Sequence, residues 1–216
     1  MTRTTLAILG GVMAAIAIIA GLTAARSSEP QSQTFAVPAF TAVNASGAFN
    51  TDISIGARQS VTATGDPDLI KRLEVRVVRG SLVLGTRSGM SWGKGDLTVR
   101  VTVPALDAVS LAGSGDLSAR GITAQQFAAS LTGSGDVVVA GTCTNASLSL
   151  QGSGDLDAGA LVCSAVAASV QGSGDLIGHA TRSVAGSVQG SGDMLIKGKP
   201  AQRAVTTRGS GALRYE

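Results

Sequence analysis

The sequence predicts an all-β chain wound as a single-stranded parallel β-helix, with an atypical N-terminal β cap and one apolar helix ahead of it. Three observations carry that expectation. Gly-Ser-Gly-Asp opens at Gly113, Gly133, Gly152, Gly172 and Gly190, and a degenerate copy stands at Gly209-Ser210-Gly211-Ala212. The spacings are 20, 19, 20, 18 and 19 residues, a period that marks a solenoid in which each repeat is one structural unit. The flanks align too: Leu111, Leu131, Leu150, Val170, Val188 and Thr207 precede the first glycine by two, and Leu117, Val137, Leu156, Leu176, Met194 and Leu213 follow the fourth residue. Apolar residues therefore recur with a period of two, which fits a half-buried strand and not a helix.

The chain opens with an export signal. After Arg3 an apolar stretch runs from Leu6 to Leu22 and ends in Thr23-Ala24-Ala25, the charged start, apolar middle and small-residue end of a secretory signal peptide. Its length approaches the ~20 residues that cross a bilayer. Residues 1–25 are therefore expected as a cleaved signal peptide or an uncleaved membrane anchor, and the chain as a periplasmic or cell-surface protein, anchored to the inner membrane in the second case. No cysteine lies nearby for lipoprotein-type acylation. Residues 26–33, which include Ser27, Ser28, Glu29 and Pro30, read as a polar linker.

Residues 34–106 read as an N-terminal β region, a cap and the first coils. Val61–Thr64, Leu73–Val77, Leu82–Leu84 and Leu97–Val103 alternate as strands do, with turns at Gly65-Asp66-Pro67 and Arg79-Gly80-Ser81. Terminal units of solenoids are atypical because something must cover the open end. The loop from Ser88 to Asp96 holds the only tryptophan, and Met90, Trp92 and Lys94 are its candidate contact residues. A tryptophan there serves either as a lid over the solenoid end or as an interface residue.

Residues 107–216 read as the six-repeat β-helix, and no long linker separates them from the preceding region. An unbroken strand through the tetrapeptide points the glycines inward with the apolar residues, and Ser and Asp outward. The pairs Gly113/Gly115, Gly133/Gly135, Gly152/Gly154, Gly172/Gly174 and Gly190/Gly192 are expected at a bend or a close backbone approach. Coils stacked about 4.8 Å apart put six repeats over roughly 29 Å. A propeller needs about 40 residues per blade, and the calcium-binding nonapeptide roll has half this period. Ser110, Ser130, Ser149, Ser169 and Ser187 form one outer column, and Gln151, Gln171 and Gln189 another; both are expected to hold the coils in register. Asp116, Asp136, Asp155, Asp175 and Asp193 form a third. Charges at that spacing repel by roughly 0.9 kcal/mol per neighbouring pair in water. Solvation and hydrogen bonds to nearby N–H groups relieve this in one reading, bound calcium in the other.

Cys143 and Cys163 lie one repeat apart and should stack. Neighbouring coils bring Cα atoms within disulfide range, and export supplies an oxidising compartment, so a bond is expected; two buried free thiols are the alternative.

This run of extended coils bearing Gly-Ser-Gly-Asp, preceded by alternating strands ending in Val101-Thr102-Val103-Pro104, resembles the head GIN domain family, named as putative auto-transporter adhesins. The likeness spans about Phe35 to Tyr215. It implies a right-handed parallel β-helix in an exported bacterial protein, and the general hand of parallel connections points the same way. Self-secretion needs a C-terminal barrel of many strands, which the residues up to Glu216 do not encode.

Chemistry leaves few candidates. The single histidine, His179, reads as an exposed turn residue. No serine sits in a nucleophile elbow and no phosphate loop follows the glycines. Charged residues make up 14% of the chain, net +3, and the aromatic residues 3%, which argues against a nucleic-acid partner. No catalytic residue, cofactor or metal is expected, and the membrane is a partner only through an uncleaved N-terminal segment. The sequence points to a non-catalytic envelope module for structure or adhesion with a glycan or protein partner. A periplasmic ligand- or glycan-binding module and a carbohydrate-active enzyme are the alternatives.

Overall fold

A computed structural model describes residues 30–86 and 96–216. The apolar N-terminal segment, with its expected helix and cleavage site, and the loop residues Met90, Trp92 and Lys94 lie outside the described residues. The first strands are β1 (Gln31–Phe35), β2 (Ala42–Gly47), β3 (Asn50–Ile55) and β4 (Ser60–Gly65). A short helix α1 (Pro67–Arg72) follows, then β5 (Leu73–Val78), β6 (Ser81–Thr86), β7 (Leu97–Val103) and β8 (Ala108–Gly113). β1 opens inside the segment expected as a linker, because its backbone pairs antiparallel with β4 from Gln31 to Phe35.

Where the sequence suggested only a turn, α1 forms. Asp66 is its N-cap, accepting from the N–H groups of Asp68 and Leu69 at 2.8 and 3.4 Å. Pro67 takes the first turn, Lys71 and Arg72 the last, each suited to its end of the helix. Leu69 and Ile70 are buried against the core, so the helix covers apolar surface that a turn would leave open.

The long strands β9 (Leu117–Gly133), β10 (Val137–Gly152), β11 (Leu156–Gly172) and β12 (Leu176–Gly190) each run one circuit, from one aspartate to the next glycine. The next coil is divided into β13 (Met194–Lys197) and β14 (Gln202–Gly209), and β15 (Leu213–Tyr215) begins another coil on top of β13. All pair in parallel. Leu111 is in register with Leu131, Leu131 with Leu150, Leu150 with Val170, and Val170 with Val188. Each repeat is therefore one coil, and the buried leucines, valines and alanines form one continuous core.

The chain does not lay its coils in spatial order. β2 and β3 make a coil directly beneath β8 and the start of β9, whereas β6 and β7, later in sequence, pair on the other side of that coil. Beyond them the pairing turns antiparallel: β5 lies on β6, β4 on β7 and β1 on β4. Together with α1, these strands close the N-terminal end.

Cys143 and Cys163 are in register and bonded, with Cα atoms 4.6 Å apart. Tying chain points 20 residues apart, the link contributes on the order of 3 kcal/mol.

Among the described residues, one buried side-chain polar group has no partner. The Thr51 hydroxyl lies fully inside the core between Val99 and Leu117 and makes no hydrogen bond. Thr51→Val keeps the shape and removes the unpaired hydroxyl, so it should raise unfolding stability by about 1 kcal/mol in a denaturant titration; an unchanged or lower midpoint would refute this account. At the corners the constraint is steric. A Cβ on Gly154 runs into the Gly135 carbonyl oxygen, whereas one on Gly85 stays 3.7 Å from its nearest neighbour, the Ser46 oxygen. Gly154→Ala should therefore lose on the order of 3 kcal/mol or prevent folding, and Gly85→Ala should change stability by less than about 1 kcal/mol.

Candidate functional site

At its glycines the tetrapeptide column brings backbone directly against backbone. Gly113, Gly133, Gly152, Gly172, Gly190 and Gly209 have φ between +122° and +135°, where a side chain is strained. The Gly113 carbonyl accepts from the N–H groups of Ser134 and Gly135 at 3.0 and 3.1 Å, and the same pair of bonds recurs at each later corner. No room remains for a Cβ at either glycine.

The aspartates complete the pattern. Asp136 N–H donates to Asp116 Oδ1 at 3.3 Å, Asp155 N–H to Asp136 at 3.0 Å, Asp175 N–H to Asp155 at 2.9 Å, and Asp193 N–H to Asp175 at 2.8 Å. Each carboxylate thus satisfies the backbone of the coil above it. The second oxygen takes no part in the ladder, and exposure screens the repulsion between neighbours. Ala212 N–H donates to Asp193 at 2.7 Å; with no carboxylate of its own, Ala212 ends the ladder.

The ladder also starts earlier than the repeat suggests. Asp116 N–H donates to Asn50 Oδ1 at 3.3 Å, and Ser114 and Gly115 donate to the Gly47 carbonyl. Gly47-Ala48-Phe49-Asn50 is therefore a seventh corner, missed because only its first residue matches the repeat. The spacing of Val43 and Ala45 ahead of it was the available signal.

Other columns divide into bonded and unbonded ones. Ser130 and Ser110 join hydroxyls at 2.9 Å, Ser169 and Ser149 at 3.4 Å. Gln151, Gln171 and Gln189 are aligned and exposed, but no hydrogen bond joins their amides, in contrast to the expected register role. His179 is not an exposed turn residue: it lies half-buried on β12, its Nδ1 3.1 Å from the Gly159 carbonyl. Sequence periodicity had no purchase there because the histidine replaces no repeat letter.

Among the described residues no three metal-ligating side chains converge. One concavity is an open groove of about 720 Å³ lined by residues that include Asp107, Gln125, Gln126, Phe127 and Asn145. A second hollow of about 390 Å³ shares Asn145 and continues along the coils to Gln202 and Arg203. Alanine and valine make up most of its lining, with Asn145, Gln202 and Arg203 as its larger polar groups. β6 and β7, the strands on either side of the tryptophan segment, lie in register against β2 and β3.

No curated protein matches the chain. Residues 39–200 match the family described as putative auto-transporter adhesin, head GIN domain. Among solved structures, a putative adhesin from Bacteroides fragilis NCTC 9343 is 23% identical with a TM-score of 0.72, over 88% of this chain and 98% of that one. A putative lipid binding protein from Parabacteroides distasonis ATCC 8503 is 17% identical at TM-score 0.54, over 88% and 98%. A putative adhesin from Parabacteroides merdae ATCC 43184 is 15% identical at TM-score 0.54, over 88% and 97%. At these identities the likeness speaks for the fold alone.

If the aspartates serve the backbone, an isosteric amide should replace one, as Asn50 does in the first rung. Asp155→Asn is expected to stay within about 0.5 kcal/mol of the parent, and Asp155→Ala to lose about 1–2 kcal/mol. Calcium should leave the melting temperature of the parent unchanged; an upward shift, abolished in Asp155→Asn, would reveal cation sites instead.

Proposed function

Because the chain belongs to the family of putative auto-transporter adhesins with a head GIN domain, matched over residues 39–200, we propose that it is an exported, non-catalytic β-solenoid with a structural or adhesive role at the cell envelope. One observation carries the reading. The repeated Gly and Asp residues, the most chemically suggestive feature of the sequence, are used up in holding coil to coil, and the product is a rod with polar sides. The apolar start of the chain supports export, and its two states, cleaved or retained, give a free or an anchored rod. Residues 34–106 and 107–216 act in this reading as one domain, since β2 and β3 of the first are built into the stack of the second.

A second reading, a periplasmic glycan-binding module, draws on the groove lined by Gln125, Gln126 and Asn145. Open grooves edged by planar amides suit sugar hydroxyls, although ligand sites are more often aromatic-lined. Trp92 is the aromatic residue this reading would recruit.

Fusing the first thirty or so residues to a reporter active only after export, and screening the purified chain on a glycan array and on intact cells with and without calcium, tests both readings. The expected result is reporter activity and binding without turnover of any glycan. Trp92→Ala weakens that binding if the loop makes the contact and leaves it intact if the groove does. A silent reporter, or glycan cleavage, would overturn the proposal.

A further inference from the structure

We propose that the C-terminal tip of the solenoid receives an extended acidic polypeptide segment, which adds to the free side of β14 as one more strand. Two observations point to the same occupant. The first is an edge. β14 pairs only with β12, and β15 only with β13, so among the described residues the outer N–H and C=O groups of both strands face solvent. The opposite end of the rod is closed by antiparallel strands and a helix. A free edge is a template for an added strand.

The second is charge. No lysine or arginine occurs between Arg120 and Arg182, yet from Arg182 to Glu216 stand Arg182, Lys197, Lys199, Arg203, Arg208 and Arg214 against only Asp193 and Glu216. Arg203 stacks over the Tyr215 ring at 4.2 Å and closes the core, while Arg214 reaches Asp193 only at 3.9 Å with both groups exposed. Arg182, Lys197, Lys199 and Arg208 have no ion-pair partner among the described residues. Charges on an edge strand are a common guard against aggregation. That accounts for Arg208 and for the inward Arg203, but not for Arg182 on β12 or for Lys197 and Lys199, which lie off the edge strands. A second copy of the chain is disfavoured, because its edge would bring the same arginines.

Register defines the segment. Val205 and Thr207 continue inner columns, opposite Gly186 and Val188, whereas Thr206 and Arg208 continue outer ones, opposite Ser187 and Gln189. The incoming strand therefore alternates, apolar toward Val205 and Thr207 and acidic toward Arg208, where cross-strand pairs of opposite charge are favourable. This contact goes beyond the envelope-adhesion reading: the strand it adds would lie on β14, Gln202–Gly209, past the family match over residues 39–200.

The probe is a blocked peptide of about ten residues alternating Glu and Val, a typical upper strand length, with a Lys-Val peptide as its counterpart, both titrated into the full chain. Binding of the Glu-Val peptide alone is expected, with slowed hydrogen exchange of the β14 amides. The double variant Arg208→Glu/Arg214→Glu should weaken that peptide about tenfold and gain affinity for the Lys-Val peptide, a gain that an unfolded variant could not show. Arg208→Gln, a milder change, should fall between. Equal binding of both peptides, binding without β14 protection, or no peptide binding beside binding to phosphatidylglycerol vesicles would each overturn the proposal.

Discussion

Coils one strand spacing apart can turn the same corner only if neither backbone carries a side chain between them. That steric condition governs the rest of the molecule. Gly115, Gly135, Gly154, Gly174 and Gly192 each lie with the position of a Cβ occupied by the carbonyl of the coil before. Glycine, which loses most entropy on folding, is thus concentrated where nothing else fits. Once the corners are in contact, the apolar residues two positions before and one after each tetrapeptide fall into columns, and the core follows.

The aspartate ladder is the polar counterpart of this contact. A parallel stack has to satisfy its backbone at the bends as well as along the strands, since an unpaired N–H removed from water is costly. The carboxylate does so from one coil to the next and always in the same direction. Asn50 can begin the ladder and Ala212 can end it, so charge is not what the column needs; an acceptor oxygen is. A metal array would make the opposite demand, several oxygens aimed at one point instead of one oxygen aimed at one N–H.

How much of this was legible depended on whether a residue belonged to the period. The one-coil repeat, the Leu111 to Val188 column, the stacking of Cys143 on Cys163 and the strands at 61–64, 73–77 and 97–103 all follow from spacing and alternation. What escaped was non-periodic. The corner at Gly47 carries Phe49 where later coils have glycine, and lies 66 residues before Gly113 because β4 to β7 intervene. The α1 cap is too short for a helical periodicity, though Asp66, Pro67 and the basic pair Lys71 and Arg72 spell its ends. Letters in register suggest contact along the glutamine column, but exposed amides have water as a competing partner. Site residues were least legible, because the repeat letters that resemble a ligand set are committed to the scaffold.

The interleaved order of the N-terminal coils has a kinetic side. Contacts among β9 to β12 join residues about one repeat apart, whereas the coil of β2 and β3 waits on β8 above it and on β6 and β7 below, all later in the chain. Closing short loops is faster than closing long ones. By loop length the repeats can pack on one another before the coil of β2 and β3 is complete, since that coil needs strands that come after it in the chain.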